Sequence, residues 1–200
     1  MNFNKYLSYL IKSLDVIKEE EIESMIGCIY SAYEKQQMIF VIGNGGSAAN
    51  ASHLAQDLAK GTKTSDDTSK RIRALSLTDN LAFISALGND EGYESIFEQQ
   101  LKTFASEGDV LIAISGSGNS PNVIKAVDWA NDNGITTIGI TGFDGGLLHK
   151  INRLSLHIPL NDMCTVESIH SIILHYIVIE LKEKMESEQK VFQKYTLDEN

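Results

Sequence analysis

The stretch Val110-Leu111-Ile112-Ala113-Ile114-Ser115-Gly116-Ser117-Gly118-Asn119-Ser120 reads as a buried strand that runs into a turn of glycine and serine. Its apolar residues are continuous rather than alternating, as in a strand covered on both faces. The same arrangement occurs upstream, where Met38-Ile39-Phe40-Val41-Ile42 leads into Gly43-Asn44-Gly45-Gly46-Ser47. A helical pattern follows each turn. Glycine lets the backbone turn sharply and approach a ligand, while serine hydroxyls and the free N–H groups of a helix start offer donors to an anion. Two such loops on parallel strands imply a phosphorylated ligand.

Working outward, strands are expected at 38–43, 73–77, 109–114, 135–140 and 154–158. Helices are expected over 47–60, 80–87, 93–105 and 119–132, with a short turn near 145–150 and a long last helix over 164–187. This alternation specifies an α/β chain, a parallel sheet with helices on both faces. Ahead of it, residues 3–36 carry one apolar stripe through Phe3, Leu7, Leu10, Ile11 and Leu14 and a second through Ile22, Met25, Ile29 and Tyr33. One or two amphipathic helices result, able to cover the domain or to pack on another subunit. The expected organisation is one domain over 1–200, with N-terminal helices at 1–36, an α/β core over 37–187 and a polar tail at 188–200.

Two hundred residues suffice for a real core, and 42% hydrophobic with 22% charged residues is an ordinary globular composition. No apolar run of transmembrane length and no leader pattern is read, which leaves no role for a membrane. Cys28 and Cys164 form no metal-type spacing and read as reduced thiols of a cytoplasmic protein. The net charge of −10 argues against nucleic acid and would repel a phosphate at long range. Loop amides and helix N-termini act at contact distance and overcome that field. The basic stretch Lys60, Lys63, Lys70, Arg71 and Arg73, interrupted by Asp66 and Asp67, reads as a solvated loop, with a ligand clamp as the alternative.

His53 and Asp57 stand four residues apart on the helix after the first loop, about 40° apart around its axis. Such a pair can meet one metal ion or serve proton transfer; a plain surface pair is the competing account. On the last helix, Glu167 and His175 are two turns apart and can share a face, and His170 is an alternative ligand. Together these make a mixed nitrogen and oxygen metal site chemically reasonable. Gly43 to Ala48 matches the dinucleotide pattern G-x-G-x-x-A, but Asp79 lies far past the position of a ribose-binding acid, which argues against that cofactor. Asp79 and Asn80, then Asn89 and Asp90, fall at the carboxyl rim of the sheet, where they serve as caps and turns or contact a ligand.

The motifs Gly43-Asn44-Gly45-Gly46-Ser47, His53-Leu54-Ala55-Gln56-Asp57-Leu58, Gly88-Asn89-Asp90, Ser115-Gly116-Ser117-Gly118-Asn119-Ser120 and Thr141-Gly142-Phe143-Asp144-Gly145-Gly146 resemble the sedoheptulose-7-phosphate isomerase (phosphoheptose isomerase) family, which has the sugar-isomerase (SIS) fold. The resemblance covers roughly residues 35–185. It implies a three-layer, flavodoxin-like five-stranded parallel sheet with an N-terminal helical extension, and a homotetramer whose active sites are shared between subunits. It implies a phosphate cradle of Ser47, Ser115, Ser117 and Ser120, with Asn44, Gly45, Gly46, Gly116, Asn119, Asn89, Asp90, Asp57 and Glu167 as further sugar-phosphate contacts. It also implies zinc, held by His53, Asp57, Glu167 and His175. Two departures stand out: the family's glutamate is Asp57 here, and its glutamine is Glu167. An arginine that usually follows is missing near Gly61, leaving Lys60 or Lys63 as substitutes.

The implied activity is aldose–ketose isomerisation of D-sedoheptulose 7-phosphate to D-glycero-D-manno-heptose 7-phosphate through an enediol. Asp57 or Glu167 would carry the proton between carbons and His175 would serve the oxygens. Shortening Glu to Asp57 withdraws the carboxylate by roughly 1.5 Å. The alternatives are an isomerase of a related sugar phosphate and a non-catalytic sugar-phosphate-binding SIS regulator or scaffold. Retention of His53, a carboxylate at 57 and His175 favours the enzyme.

Overall fold

A computed structural model describes residues 2–63 and 70–197, with side chains described as far as Ser187. Asp66 and Asp67 of the basic stretch lie outside the described residues. The chain begins with α1 (Phe3–Leu14) and α2 (Glu19–Glu34) and enters the sheet at β1 (Met38–Gly43). There follow α3 (Gly46–Gln56), β2 (Arg73–Ser76), α4 (Leu81–Asp90), α5 (Glu98–Phe104), β3 (Val110–Ser115) and α6 (Pro121–Asp132). β4 (Thr136–Thr141), the short α7 (Leu148–Ile151), β5 (Leu154–His157) and α8 (Met163–Leu197) complete it.

The five strands are parallel in the order β2-β1-β3-β4-β5. The order reverses between β1 and β3, and open α/β sheets place their ligand crevice at such a point. In register, Gly43 lies beside Ile114, so both glycine loops leave the sheet side by side. Alternate strand residues feed two cores. Ile39, Val41, Ile112 and Ile114 pack under α2, α3 and α8, while Phe40, Ile42, Leu111 and Ala113 pack under α5 and α6. Each fully buried Ile or Phe contributes about 2 kcal/mol by removal from water. Asp109 ties the strand starts together, accepting from Met38 N at 2.8 Å and from Ser106 N at 2.8 Å. Glu21 reaches from α2 to accept from His157 N at 2.8 Å, fixing that helix against the edge strand.

Several boundaries differ from the sequence expectation. The helix expected over 47–60 changes geometry at Asp57, where residues Asp57–Gly61 form a π turn closed by Thr62 N donating to Asp57 O at 3.2 Å. Such widened turns concentrate at functional positions. The helix expected over 93–105 is broken: a single 3₁₀ turn spans Tyr93–Ser95 and α5 starts at Glu98. Residues expected as a polar tail from 188 instead continue α8 to Leu197. Met163–Ser187 is also apolar and long enough to cross a membrane, contrary to the reading above. It is a core helix: Val166, Ile169, Ile173, Ile177 and Leu181 are all buried.

Candidate active site

The first glycine loop is shaped by Gly45, whose backbone (φ 55°, ψ −122°) lies where a side chain would be strained. α3 starts one residue later, and its first two residues, Gly46 and Ser47, whose N–H groups have no intrahelical acceptor, line the crevice beside β3. The second loop crosses from Ser115 to the start of α6 at Pro121, with Ser115 Oγ 3.3 Å from Ser120 Oγ. Between the loops lies a cleft of about 240 Å³, lined by Asn44, Gly45, Gly46, Ser47, Ser115, Gly116, Ser117, Ser120, Met163 and Glu167. Its polar lining is made of loop backbone, serine hydroxyls, the Asn44 amide and the Glu167 carboxylate, and among the described residues no lysine or arginine lines it. That chemistry suits an anion held by neutral donors.

A second constellation lies further along the same helices. His53 Nε2 is 3.2 Å from Asp57 Oδ2, and His175 Nε2 is 3.8 Å from the same oxygen. Their ligand atoms all fall within 4.8 Å of one another, the one such group of three found among the described residues. Two imidazoles and a carboxylate with an open side are the donors of a catalytic zinc site, so the residues fit that ion. Both histidine side chains are just over half exposed, at 53% and 54%, whereas Asp57 is at 19%.

The two sites are joined by facing stripes. Gly46, Asn50, His53 and Asp57 follow one another along α3 and its π turn; Met163, Glu167, Ser171 and His175 do so along α8. A Cβ on Gly46 would lie 2.5 Å from Glu167 Oε1, so the glycine admits that carboxylate. Ser171 Oγ donates to Asn50 Oδ1 at 2.7 Å, and Asn50 Nδ2 to Glu167 O at 3.4 Å. Asn50 and Ser171 also line the pocket of His53, Asp57 and His175.

Several expected site residues sit elsewhere. Glu167 does not join the histidine cluster, because eight residues of helix place it about 12 Å along the axis from His175; it lines the cleft between the two glycine loops instead. His170 is fully buried, with Nε2 3.3 Å from Thr141 O, and is no alternative ligand. Burial pushes its imidazole down to about 4. Asn89 and Asp90 end α4, bonded to each other at 2.7 Å and exposed, and do not line the cleft. Asn119 donates to Ser117 O at 2.9 Å and accepts from Leu147 N at 3.0 Å, bracing the second loop from outside the cleft lining. Asn80 caps α4 by accepting from Phe83 N, and Asp79 accepts from Ser52 and Thr78. Lys60 is exposed and lines neither pocket. Asn50 and Ser171 escaped the sequence reading, although their one-turn spacing from Gly46, His53, Glu167 and His175 was visible.

Comparison with known proteins agrees with this architecture. The SIS domain family model matches residues 2–142. A phosphoheptose isomerase of Clostridium acetobutylicum is 39% identical over 165 residues, 82% of this chain and 82% of its own length. One from Aliarcobacter butzleri is 38% identical over 159 residues, 80% and 82% of the two chains. Among solved structures, phosphoheptose isomerase of Neisseria gonorrhoeae superposes with a TM-score of 0.82 at 27% identity, covering 90% of this chain and 96% of the other.

Proposed function

The chain belongs to the SIS-domain family and within it to the phosphoheptose isomerases, so it is a sugar-phosphate isomerase, and we propose that it interconverts D-sedoheptulose 7-phosphate and D-glycero-D-manno-heptose 7-phosphate. The observation that carries this reading is the spacing of the two sites along one pair of helices. From Glu167 at the anion cleft to His175 at the cluster the helix rises about 12 Å. An extended seven-carbon sugar phosphate spans roughly 10 Å from phosphorus to C1 with bonds of about 1.5 Å. A phosphate in the cleft would thus deliver C1 and C2 to the histidines.

In this reading, Ser47, Ser115, Ser117, Ser120 and the α3 N-terminus hold the phosphate without a cationic side chain. Asp57 takes a proton from C1 of the ketose, giving an enediol, and returns it to C2. Its Oδ2 faces both imidazoles, leaving Oδ1 for the transfer. His175, whose Nε2 faces Asp57, carries the compensating proton at Nδ1: O2 gains one from it as the carbonyl becomes a hydroxyl, and O1 gives one back. Zinc, bound by His53, Asp57 and His175, would supply polarisation of the carbonyl oxygen. Glu167 contacts the sugar near its phosphate end.

The functional unit is proposed to be a homotetramer in the cytoplasm. Its support is the half-exposed histidine pair beside Ile172, Tyr176 and Ile179 of α8, apolar residues that are 43%, 45% and 53% exposed. A neighbouring subunit would cover them and close the site. The test of the substrate is a turnover screen over five-, six- and seven-carbon ketose phosphates with metal analysis of the same sample. The seven-carbon ketose should have the highest kcat/KM; faster turnover of a shorter ketose would assign a different sugar phosphate.

A further inference from the structure

Beyond the ends of β1 and β3, the side chains of Asn44 and Asn122 join the two loops. Asn44 Nδ2 donates to Asn122 Oδ1 at 2.8 Å, and Asn122 Nδ2 donates back to Asn44 Oδ1 at 2.9 Å. This is a closed amide pair. Asn122 is 2% exposed, and its Oδ1 accepts a second bond from Val123 N at 3.0 Å, locking the amide to the first turn of α6. Asn44 Oδ1 takes a further hydrogen bond from Tyr93 Oη at 2.9 Å, which draws in the turn after α4. Both lone pairs of Asn44 Oδ1 and of Asn122 Oδ1 are therefore occupied within the protein.

We infer that Asn122, through Asn44, is a positioning residue for anion binding, with Tyr93 as its auxiliary. Asn44 serves the ligand through its backbone, and its side chain bolts the first loop to the helix that carries the second. The physical need is clear. The cleft holds its anion with neutral donors from two separate loops, and such donors gain affinity only if their spacing is fixed before the ligand arrives. A lysine could follow a shifted phosphate, whereas a ring of amides and hydroxyls cannot. A reciprocal pair with one amide buried is stiffer than a single exposed hydrogen bond, and breaking it leaves the buried Asn122 amide unsatisfied. On its other side the second loop is braced through Gly142 N to Gly116 O and Leu148 N to Gly118 O, at 2.9 Å each. Asn122 supplies the brace toward the first loop.

This inference rests on the reading of the cleft as an anion site, so inorganic phosphate is the probe and Ser117→Ala the reference variant. Calorimetric titration should show phosphate binding to the wild type and weaker binding to Ser117→Ala. Asn122→Ala should raise the phosphate Kd about tenfold and Tyr93→Phe about threefold. The double variant Asn44→Ala/Asn122→Ala should be no worse than Asn44→Ala alone, since both break one link. A purely structural pair would lower Tm and leave Kd unchanged in the folded fraction. Folded Asn122→Ala and Tyr93→Phe proteins that bind phosphate like wild type, while Ser117→Ala does not, overturn the inference and leave the anion site standing. Absence of phosphate binding in the wild type overturns the anion reading itself. Tyr93 is exposed and loses only a hydroxyl, so its variant decides by the same two outcomes if Asn122→Ala does not fold.

Discussion

His53 and His175 meet edge to face, ring centroids 4.9 Å apart and planes at 78°, with the Asp57 carboxylate between their Nε2 atoms. More than a hundred residues of sequence separate the two rings. Their meeting depends on α3 and α8 packing on one face of the sheet through Leu54, Leu58, Leu174 and Ile177.

Removing the proposed base tests the chemistry. Asp57→Asn keeps the shape and loses the proton acceptor, so kcat should fall about 100-fold or more, within the usual range for general acid–base groups. His175→Ala should fall comparably. Circular dichroism should stay that of the wild type. Unchanged turnover in both variants would remove these roles.

Metal content is a separate readout. His53→Ala leaves two of three ligands, and zinc affinity should weaken by about 100-fold, measured by competition with a chelator. Stripping the wild type with a chelator should abolish turnover and zinc should restore it. Retention of zinc by the variant at wild-type affinity would rule out this ligand set.

Glu167 lines the cleft proposed to hold the phosphate, so its charge would oppose that ligand. Glu167→Gln should bind inorganic phosphate about threefold more tightly, the scale of one partly screened charge. Zinc content should not change, because the carboxylate stands outside the histidine cluster. Lost zinc would return Glu167 to the metal.

Acid should weaken the fold through His170. Its Nδ1 is buried with no hydrogen-bond partner among the described residues, and burial holds the imidazole at about 4 against an ordinary 6.5. The unfolded chain therefore takes up the proton first, and stability present above pH 6.5 is lost as pH falls toward 4. The loss should approach about 3 kcal/mol. His157, lowered by burial and by His149, acts in the same direction. Denaturant melts of wild type and His170→Asn across this range should diverge; parallel curves would clear His170.

Subunit contact can be tested at Ile179, 53% exposed on α8. If the proposed tetramer forms, Ile179→Asp should shift the species seen by light scattering toward smaller forms, with turnover falling alongside. A wild type that is monomeric and fully active would end the shared-site reading.

Much of the fold is legible in the sequence because the central strands β1, β3 and β4 are buried along nearly their whole length, while the partly exposed edge strands β2 and β5 are legible from their place in the strand–helix alternation. Helix ends were less so. Gly88 reads as a stop but is tolerated within α4, and α8 outruns its apolar pattern because a helix can continue on polar residues. His53, Asp57 and His175 were legible because their spacing fits one helix face each. Glu167 was not separable from them: a spacing of eight puts two side chains on one stripe without saying which neighbour each meets. Asn122 was invisible, since an asparagine in a first helical turn reads as an ordinary start and only the folded crevice gives it Asn44.

Under the proposed function, the facing stripes of α3 and α8 would work as a ruler graduated in helical turns. Retuning the catalyst to a shorter or longer sugar would mean transplanting His53, Asp57 and His175 together by one turn, about 5.4 Å. Piecemeal substitution would misalign the reacting carbons before it changed the length they are measured against.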